Sequence, residues 1–234
     1  MKLLAIDTST ERMSLAVCHG EQVWTHDGAA GMQASRHLVP AVMALLAQAQ
    51  FPLHALQAIA FGQGPGAFTG LRTACSVAQG LALGAGLPLL PVDTLLCVAE
   101  SATRLQQRVL AVLDARMEQV YAAAYERVDG VWHTVSAPQL TSPAQLTLPA
   151  HWQGQRFALA GNAMPAHQAG LQHLLSQGGE AEEVWPQAQA MLRLAAQAWS
   201  RGLAVAPETA LPVYVRDDVA RTTAQRLADK QAAA

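Results

Sequence analysis

Gly62-Gln63-Gly64-Pro65-Gly66-Ala67-Phe68-Thr69-Gly70-Leu71-Arg72 carries four glycines and a proline. It lies between an apolar run, Ala58 to Phe61, and a run of small and apolar residues, Ala74 to Leu83. A buried strand that ends in a glycine-rich turn and opens into a helix accounts for this order. Glycine supplies the positive φ and the close backbone approach such a turn needs. Unpaired N–H groups at a helix start, together with the helix dipole, favour an anion. Two readings stand on local grounds: a cradle for phosphate or nucleotide, and a tight turn that packs a helix closely on a sheet.

Upstream, Leu3 to Ile6 reads as a buried strand ending at Asp7-Thr8-Ser9-Thr10. Met13 to Val17 alternates as a second strand and Gln22 to His26 makes a third, so the chain opens with an antiparallel meander. The hydroxyls and amides of the Asp-Thr-Ser-Thr turn suit phosphate oxygens, and Asp7 suits a metal or an oriented water. The same residues also form ordinary Asx and Ser/Thr turns that cap a strand. From Ser35 to Gln50 the period is helical, with Leu38, Val42, Leu45 and Ala49 on one stripe and Val39, Met43 and Leu46 on another. His37, near its start, reads as a surface or capping residue. The helix from Thr69 to Leu83 carries Ala74, Ala78 and Ala82 on one side. Both helices are apolar or small on more than one face, more than a single sheet contact requires.

Downstream, Leu87 to Val92 is a strand, and Asp93-Thr94 caps a helix from Leu95 to Thr103. The polar run Thr103 to Arg108 divides an N-terminal lobe, 1–103, from a C-terminal lobe, 104–234. Val109 to Leu113, Val120 to Arg127 and Val131 to Val135 follow as strands, with a hairpin turn at Asp129-Gly130. Asp114, Arg116 and Glu118 read as an ion-paired turn. Residues 137–155 read as connection. Arg156 to Ala160 is a strand ending in a second turn, Gly161-Asn162-Ala163, that could face a ligand. His167 and His173, in a helix from Ala166 to Ser176, are six apart and do not share a face at metal-binding spacing, so both read as solvated. A helix from Gln187 to Arg201 ends at Gly202, Pro212 to Arg216 is extended, and the tail from Asp218 to Ala234 is polar and frayed. The two halves share a form: a strand, an acidic turn at Asp7 or Asp114, then a meander. This is a duplicated α/β unit with a cleft between its halves.

The 234 residues suffice for real hydrophobic cores, with 51% hydrophobic and only 14% charged. Weakly polar surface leaves room for a patch covered by a partner. A net charge of −2 supplies no basic field for gripping a phosphate backbone, which disfavours a stand-alone nucleic-acid binder. No apolar run reaches the roughly 20 residues of a bilayer span. Cys18, Cys75 and Cys97 are odd in number and far apart, so a cytoplasmic protein with reduced thiols is expected.

The glycine turn lacks the lysine of a P-loop. The meander precedes it, against a Rossmann order, and neither a hydrolase elbow nor a zinc motif occurs. Read in order, Ala5-Ile6-Asp7-Thr8-Ser9-Thr10, the glycine run, Ala78-Gln79-Gly80-Leu81-Ala82, Asp114-Ala115-Arg116 with Val120-Tyr121, and Pro212-Val213-Tyr214-Val215-Arg216 resemble the TsaB (YeaZ) family across nearly the whole chain. The stretch from Ser136 to Pro207 matches only loosely. The resemblance implies an α/β, two-lobed actin-like or Hsp70-like ATPase (ribonuclease H-like) fold with mixed sheets flanked by helices. It implies the non-catalytic dimerisation subunit of the machinery that makes N6-threonylcarbamoyladenosine beside the tRNA anticodon. There the catalytic paralogue TsaD transfers the threonylcarbamoyl group and the ATPase TsaE joins the complex. The paralogue's two metal-binding histidines correspond here to Thr94 and Val98, which cannot replace imidazoles.

The expectation is a partner subunit, pairing with TsaD through its two interface helices and with itself when alone, meeting tRNA only through the complex and no membrane. Leu38, Val42, Leu45, Leu71, Ala74 and Ala78 are the expected interface residues. Asp7, Thr8, Ser9, Gly64, Gly66 and Thr69 are the candidates for holding a nucleotide, with ATP or ADP at or near the inter-subunit interface. No residue is assigned to catalysis or to metal. The rival reading is a nucleotide-dependent enzyme of the same fold, an ATPase or small-molecule kinase, built on Asp7 and the glycine turn. On balance the turn reads as a geometric hinge that stands the following helix where a partner reaches it.

Overall fold

The computed structural model describes residues 1–30, 34–103 and 107–216. The frayed tail expected from Asp218 onward lies outside them. Strands β1 (Lys2–Asp7), β2 (Arg12–His19) and β3 (Gln22–Ala29) form the antiparallel meander read from the sequence. β4 (Ala58–Gly64) and β5 (Leu89–Asp93) extend the sheet in parallel from β1, giving the order β3-β2-β1-β4-β5. The second sheet repeats the plan. β6 (Arg108–Asp114), β7 (Val120–Val128) and β8 (Val131–Thr141) form the meander, and β9 (Phe157–Gly161) and β10 (Gly179–Glu183) lie parallel to β6 in the order β10-β9-β6-β7-β8. Asp7 and Asp114 therefore close equivalent strands, as do Gly64 and Gly161.

Five helices cover these sheets among the described residues: α1 (Ala34–Gln48), α2 (Phe68–Ala85), α3 (Thr94–Ser101), α4 (Met164–Leu175) and α5 (Ala188–Ser200). Strand alternation sorts the packing. Leu4, Ile6, Leu15, Val17, Ile59 and Phe61 face α1 and α2, while Leu3, Ala5, Ala16, Ala58, Ala60 and Leu90 face α5. In the second sheet Val109, Ala111, Leu113, Ala123 and Tyr125 face α3, and Leu110, Val112, Ala122 and Leu159 face α4 and Trp152.

The helices are thus exchanged between lobes. α3 precedes the second sheet in sequence and packs on it, whereas α5 follows that sheet and packs back on the first. A division at 103/104 separates the sheets in sequence without separating the packed bodies. Glu100 of α3 ties the layers together: its carboxylate accepts from Trp132 of β8 at 2.7 Å and from Arg193 of α5.

Local signals held where they are specific. The Asp93 carboxylate accepts from the N–H groups of Leu95 and Leu96 at the start of α3. Asp129 and Gly130 have φ of 49° and 80°, the left-handed pair of a tight hairpin. The far half of one strand and the whole of another were not legible. β8 runs on to Thr141 through residues read as connection, and β10 is an edge strand of sequence Gly-Glu-Ala-Glu-Glu. Charge on an edge strand opposes pairing with other chains, and it also removes the apolar alternation by which a strand is recognised.

Candidate functional site

The glycine run does not form an open cradle. Gly62, Gln63 and Gly64 complete β4, and α2 begins at Phe68. Into this joint the β1–β2 turn is packed backbone against backbone. Ala67 N–H donates to Ser9 O at 2.7 Å, and Thr8 Oγ1 donates to Gly70 O at 2.7 Å. A Cβ on Gly70 would overlap the Thr8 carbonyl, and one on Gly66 would crowd Ser9. The glycines are therefore explained by contact within the chain.

Asp7, Thr8 and Ser9 are buried at 1%, 0% and 2% exposure. Ser9 donates to Asp7 Oδ1 from its N–H at 3.0 Å and from its hydroxyl at 2.7 Å, while Asp7 Oδ2 is buried with no hydrogen-bond partner among the described residues. Burial pushes the Asp7 carboxyl up to about 6, against the lowering effect of the Ser9 bonds. Gly64 N–H donates to Thr94 Oγ1 at 3.1 Å. Of the six residues expected to hold a nucleotide, Asp7, Thr8 and Gly64 are buried in the joint, Ser9 and Gly66 pack in it and also line the neighbouring cleft, and Thr69 is exposed on the first turn of α2. This corrects the expectation: the Thr8 and Ser9 hydroxyls and the Ser9 and Gly64 amides donate within the joint, to Gly70 O, Asp7 Oδ1 and Thr94 Oγ1.

The cleft between the lobes lies beside this joint. One part, ≈ 220 Å³, is lined by Pro65, Gly66, Phe68, Arg116, Tyr121 and Tyr214, among others. A second part, ≈ 90 Å³, is lined by Ser9, Glu11, Ala67, Asp114, Arg116 and Asn162, among others. Pockets that hold drug-sized ligands span about 300–1,000 Å³, so each part is small for a nucleotide.

Polar contacts bridge the lobes here. Glu11 accepts from Trp185 Nε1 at 2.6 Å and from Asn162 Nδ2 at 3.3 Å, and the Arg12 guanidinium lies 3.4 Å above the Trp185 ring. Asn162 Oδ1 accepts from the Asp114 N–H at 2.9 Å. The Asp114 carboxylate meets His167 Nε2 at 3.0 Å and Arg116 at 3.1 Å. Burial alone would raise the Asp114 carboxyl, but the His167 bond, the Arg116 N–H and the Arg116 charge outweigh it and hold the group below its ordinary range.

Of the ion-paired turn expected at Asp114, Arg116 and Glu118, the Asp114–Arg116 pair is present. His167 was expected in solvent; it is 7% exposed against Asp114. That contact, and the roles of Glu11 and Trp185, join residues 53 to 174 positions apart, and no local pattern announces them. His173 bonds to the carbonyls of Leu146 and Gly170.

Thr94 and Val98, standing where the catalytic paralogue is expected to carry histidines, are both 0% exposed on α3, the first bonded to Gly64 and the second in the core against the second sheet. No cluster of three or more His, Cys, Asp or Glu suited to a metal exists among the described residues. No helix among them is long and apolar enough to cross a membrane.

The expected interface residues need correction as well. Leu38, Val42, Leu45, Leu71, Ala74 and Ala78 are all exposed by 1% or less and lie inside the N-terminal lobe. Five of them pack α1 and α2 onto the first sheet from within, and Leu71 lies against Gly64 at the wall of the cleft. The outward face carries Val39 and Met43 on α1 and Ser76, Gly80, Leu83 and Gly84 on α2. A Cβ on Gly80 or Gly84 would meet nothing within 4 Å, so no contact among the described residues explains either glycine.

Comparison with known proteins follows the same lines. The family model described as "TsaD: tRNA N6-adenosine threonylcarbamoyltransferase" matches residues 28–231. The Escherichia coli (strain K12) protein named "tRNA threonylcarbamoyladenosine biosynthesis protein TsaB" is 37% identical over 230 residues, covering 94% of this chain and 96% of that one. The protein of the same name from Haemophilus influenzae is 38% identical over 156 residues, 62% of this chain and 66% of its own. The solved structure titled "YeaZ from Pseudomonas aeruginosa" superposes with a TM-score of 0.80 at 36% identity, over 91% of this chain and 99% of that one.

Proposed function

The chain belongs to the TsaB (YeaZ) family, and from that membership we propose that it serves tRNA threonylcarbamoyladenosine biosynthesis as a non-catalytic subunit that pairs with TsaD. Its two lobes are those of the actin-like fold. The observation that carries the pairing is the outward face of α1 and α2. Met43 and Leu83 stand 50% and 62% exposed there, with Gly80 and Gly84, whose missing side chains nothing among the described residues requires. A helical glycine costs about 1 kcal/mol relative to alanine. Two of them on a solvent-facing stripe fit the close approach of a partner helix. The same face suits a second copy of the chain when the catalytic partner is absent.

This reading moves the interface from the buried stripe to the exposed one. Met43→Arg and Gly80→Arg place charge on the outward face without touching the core. Each is expected to abolish co-purification with TsaD while leaving the melting temperature of the isolated chain within a few degrees of the parent. Undiminished pairing of both variants would remove this face from consideration.

The rival reading, a nucleotide-dependent enzyme, is disfavoured by the filled joint around Asp7 to Ser9. Calorimetry of the isolated chain with ATP or ADP and Mg²⁺ tests it, and turnover lost in Asp7→Ala would restore it. Reconstituted tRNA modification with and without the chain, in the presence of TsaD and TsaE, tests the role as a whole. ATP or ADP at the subunit interface, and contact with tRNA only through the complex, complete the proposal.

A further inference from the structure

After α5 the chain returns to the first lobe. Leu89 and Val205 exchange backbone hydrogen bonds at 2.9 and 2.8 Å, and the Gln79 amide donates to the carbonyls of Pro207 and Ala210, both at 3.0 Å. Beyond Ala210 the backbone forms neither helix nor strand as far as Arg216. These last six residues cross from one lobe to the other.

At the first lobe, Val213 N–H donates to Gln63 O at 2.7 Å, and Gly64, lacking a side chain, admits the Val213 carbonyl. The Tyr214 ring packs on Phe68 with centroids 5.2 Å apart, and its hydroxyl accepts from Arg72 Nε at 3.0 Å. At the second lobe, Arg216 donates to Ala115 O at 3.0 Å and to Gln119 Oε1 at 2.9 Å, and meets Met117 Sδ at 3.1 Å. Val213 to Arg216 wall the larger part of the cleft, facing Gly66 and Phe68 of one lobe and Arg116 and Tyr121 of the other.

The segment is gripped at both ends but packed lightly between them. Leu211, Val213 and Tyr214 are 67%, 44% and 40% exposed and Val215, packed on the second sheet's core, is only partly buried, so limited apolar burial resists its departure, and such segments open locally at low free energy. What it grips is strained. Arg116, Met117 and Glu118 have consecutive φ values of 62°, 53° and 57°, a left-handed run that residues with side chains adopt only under constraint.

We propose that residues 211–216 are a detachable clasp. Bound, it joins the two lobes across the mouth of the cleft, holding the Arg116–Glu118 turn and the first turn of α2 in one arrangement. Released, it opens the cleft between Gly66 and Arg116. The two anchors are then thermodynamically coupled, and loosening either must loosen the other.

Residue-resolved hydrogen exchange on the full chain tests this coupling. Arg216→Ala cuts only the second-lobe anchor, and the clasp requires the Val213 amide, bonded to the first lobe, to exchange about tenfold faster or more. Tyr214→Ala cuts the first-lobe anchor, and the Gln119 amide is expected to quicken by a similar factor. Amides of β1 and β6 keep their parent rates in both. Acceleration confined to the end that was cut overturns the proposal, because the contacts are then independent. No acceleration also overturns it, as does equal acceleration throughout both sheets, which would make the segment part of the cooperative core. Should Tyr214→Ala fail to fold, Tyr214→Phe, which loses only the hydroxyl bond to Arg72, gives the same reading.

Discussion

Asp7 at the end of β1 and Gly62 in the neighbouring β4 stand so close that a Cβ on residue 62 would overlap the Asp7 carboxylate. This contact defines the centre of the N-terminal lobe as a packed joint. It separates two kinds of glycine that look alike in the sequence: those that admit another part of the chain, and those that face open space.

Alanine substitutions should therefore differ in sign. Gly62→Ala and Gly70→Ala drive a methyl group into the Asp7 side chain and the Thr8 carbonyl, and each is expected to destabilise the fold by about 2–3 kcal/mol, the scale of overpacking. Gly80→Ala and Gly84→Ala meet nothing and should stabilise the isolated chain by about 0.5–1 kcal/mol each through helix propensity. Urea denaturation of the four variants reads both signs. Destabilisation by Gly80→Ala would show a contact within the chain that the helix does not display.

Asp7 makes stability depend on pH in a defined direction. Burial raises its folded-state value to about 6 from 3.8, so the native state holds a proton that the unfolded chain has released. Its contribution is fully present below the unfolded value and is lost as pH rises through about 6. The difference amounts to about 3 kcal/mol. Asp7→Asn abolishes this titration. Subtracting its stability profile from that of the parent should reveal a fall of that order between pH 4 and 7, with the variant relatively more stable at pH 8. A flat difference would mean that the carboxyl has a partner.

The second acidic turn behaves oppositely. The folded-state value of Asp114 is lowered, so its contribution is present above the unfolded value and is lost as pH falls through the folded one. His167→Leu removes the bond from the buried imidazole. The Asp114 titration followed by NMR should move up, and stability at pH 7 should drop by about 1–3 kcal/mol. An unmoved Asp114 titration would show that Arg116 and the backbone suffice.

The two stripes of α1 and α2 separate folding from pairing. Val42→Arg and Ala78→Arg bury a charge among residues with no exposure and are expected to cost about 3–5 kcal/mol, enough to unfold many domains. Met43→Arg, on the exposed stripe, should leave thermal stability near that of the parent. Circular dichroism melts of the three variants decide the matter before any partner is added.

Much of the architecture was legible because its signals are local. The meander, the strand before the glycine run, helices α1, α2 and α5, the Asp93 cap and the Asp129-Gly130 turn each rest on residues within a few positions of one another. So did the resemblance of the two halves, which the matching strand orders bear out. The charged edge strand β10 and the extension of β8 escaped because an edge strand need not alternate apolar and polar residues. The inward direction of the Leu38–Val42–Leu45 stripe was not legible either. Periodicity shows that a helix has two apolar stripes without showing which of them meets the sheet.

By itself, the sequence determined that this chain is a duplicated α/β unit organised on a glycine run. That conclusion depends on residue type and spacing, which folding does not alter. Only the tertiary structure decided what the glycines are for and which face is free. Whether Gly66 and Gly70 admit a phosphate or the backbone of Thr8 and Ser9 depends on where a turn nearly 60 residues earlier comes to rest. That placement follows from the parallel pairing of β1 with β4, a contact between distant segments that no local pattern encodes.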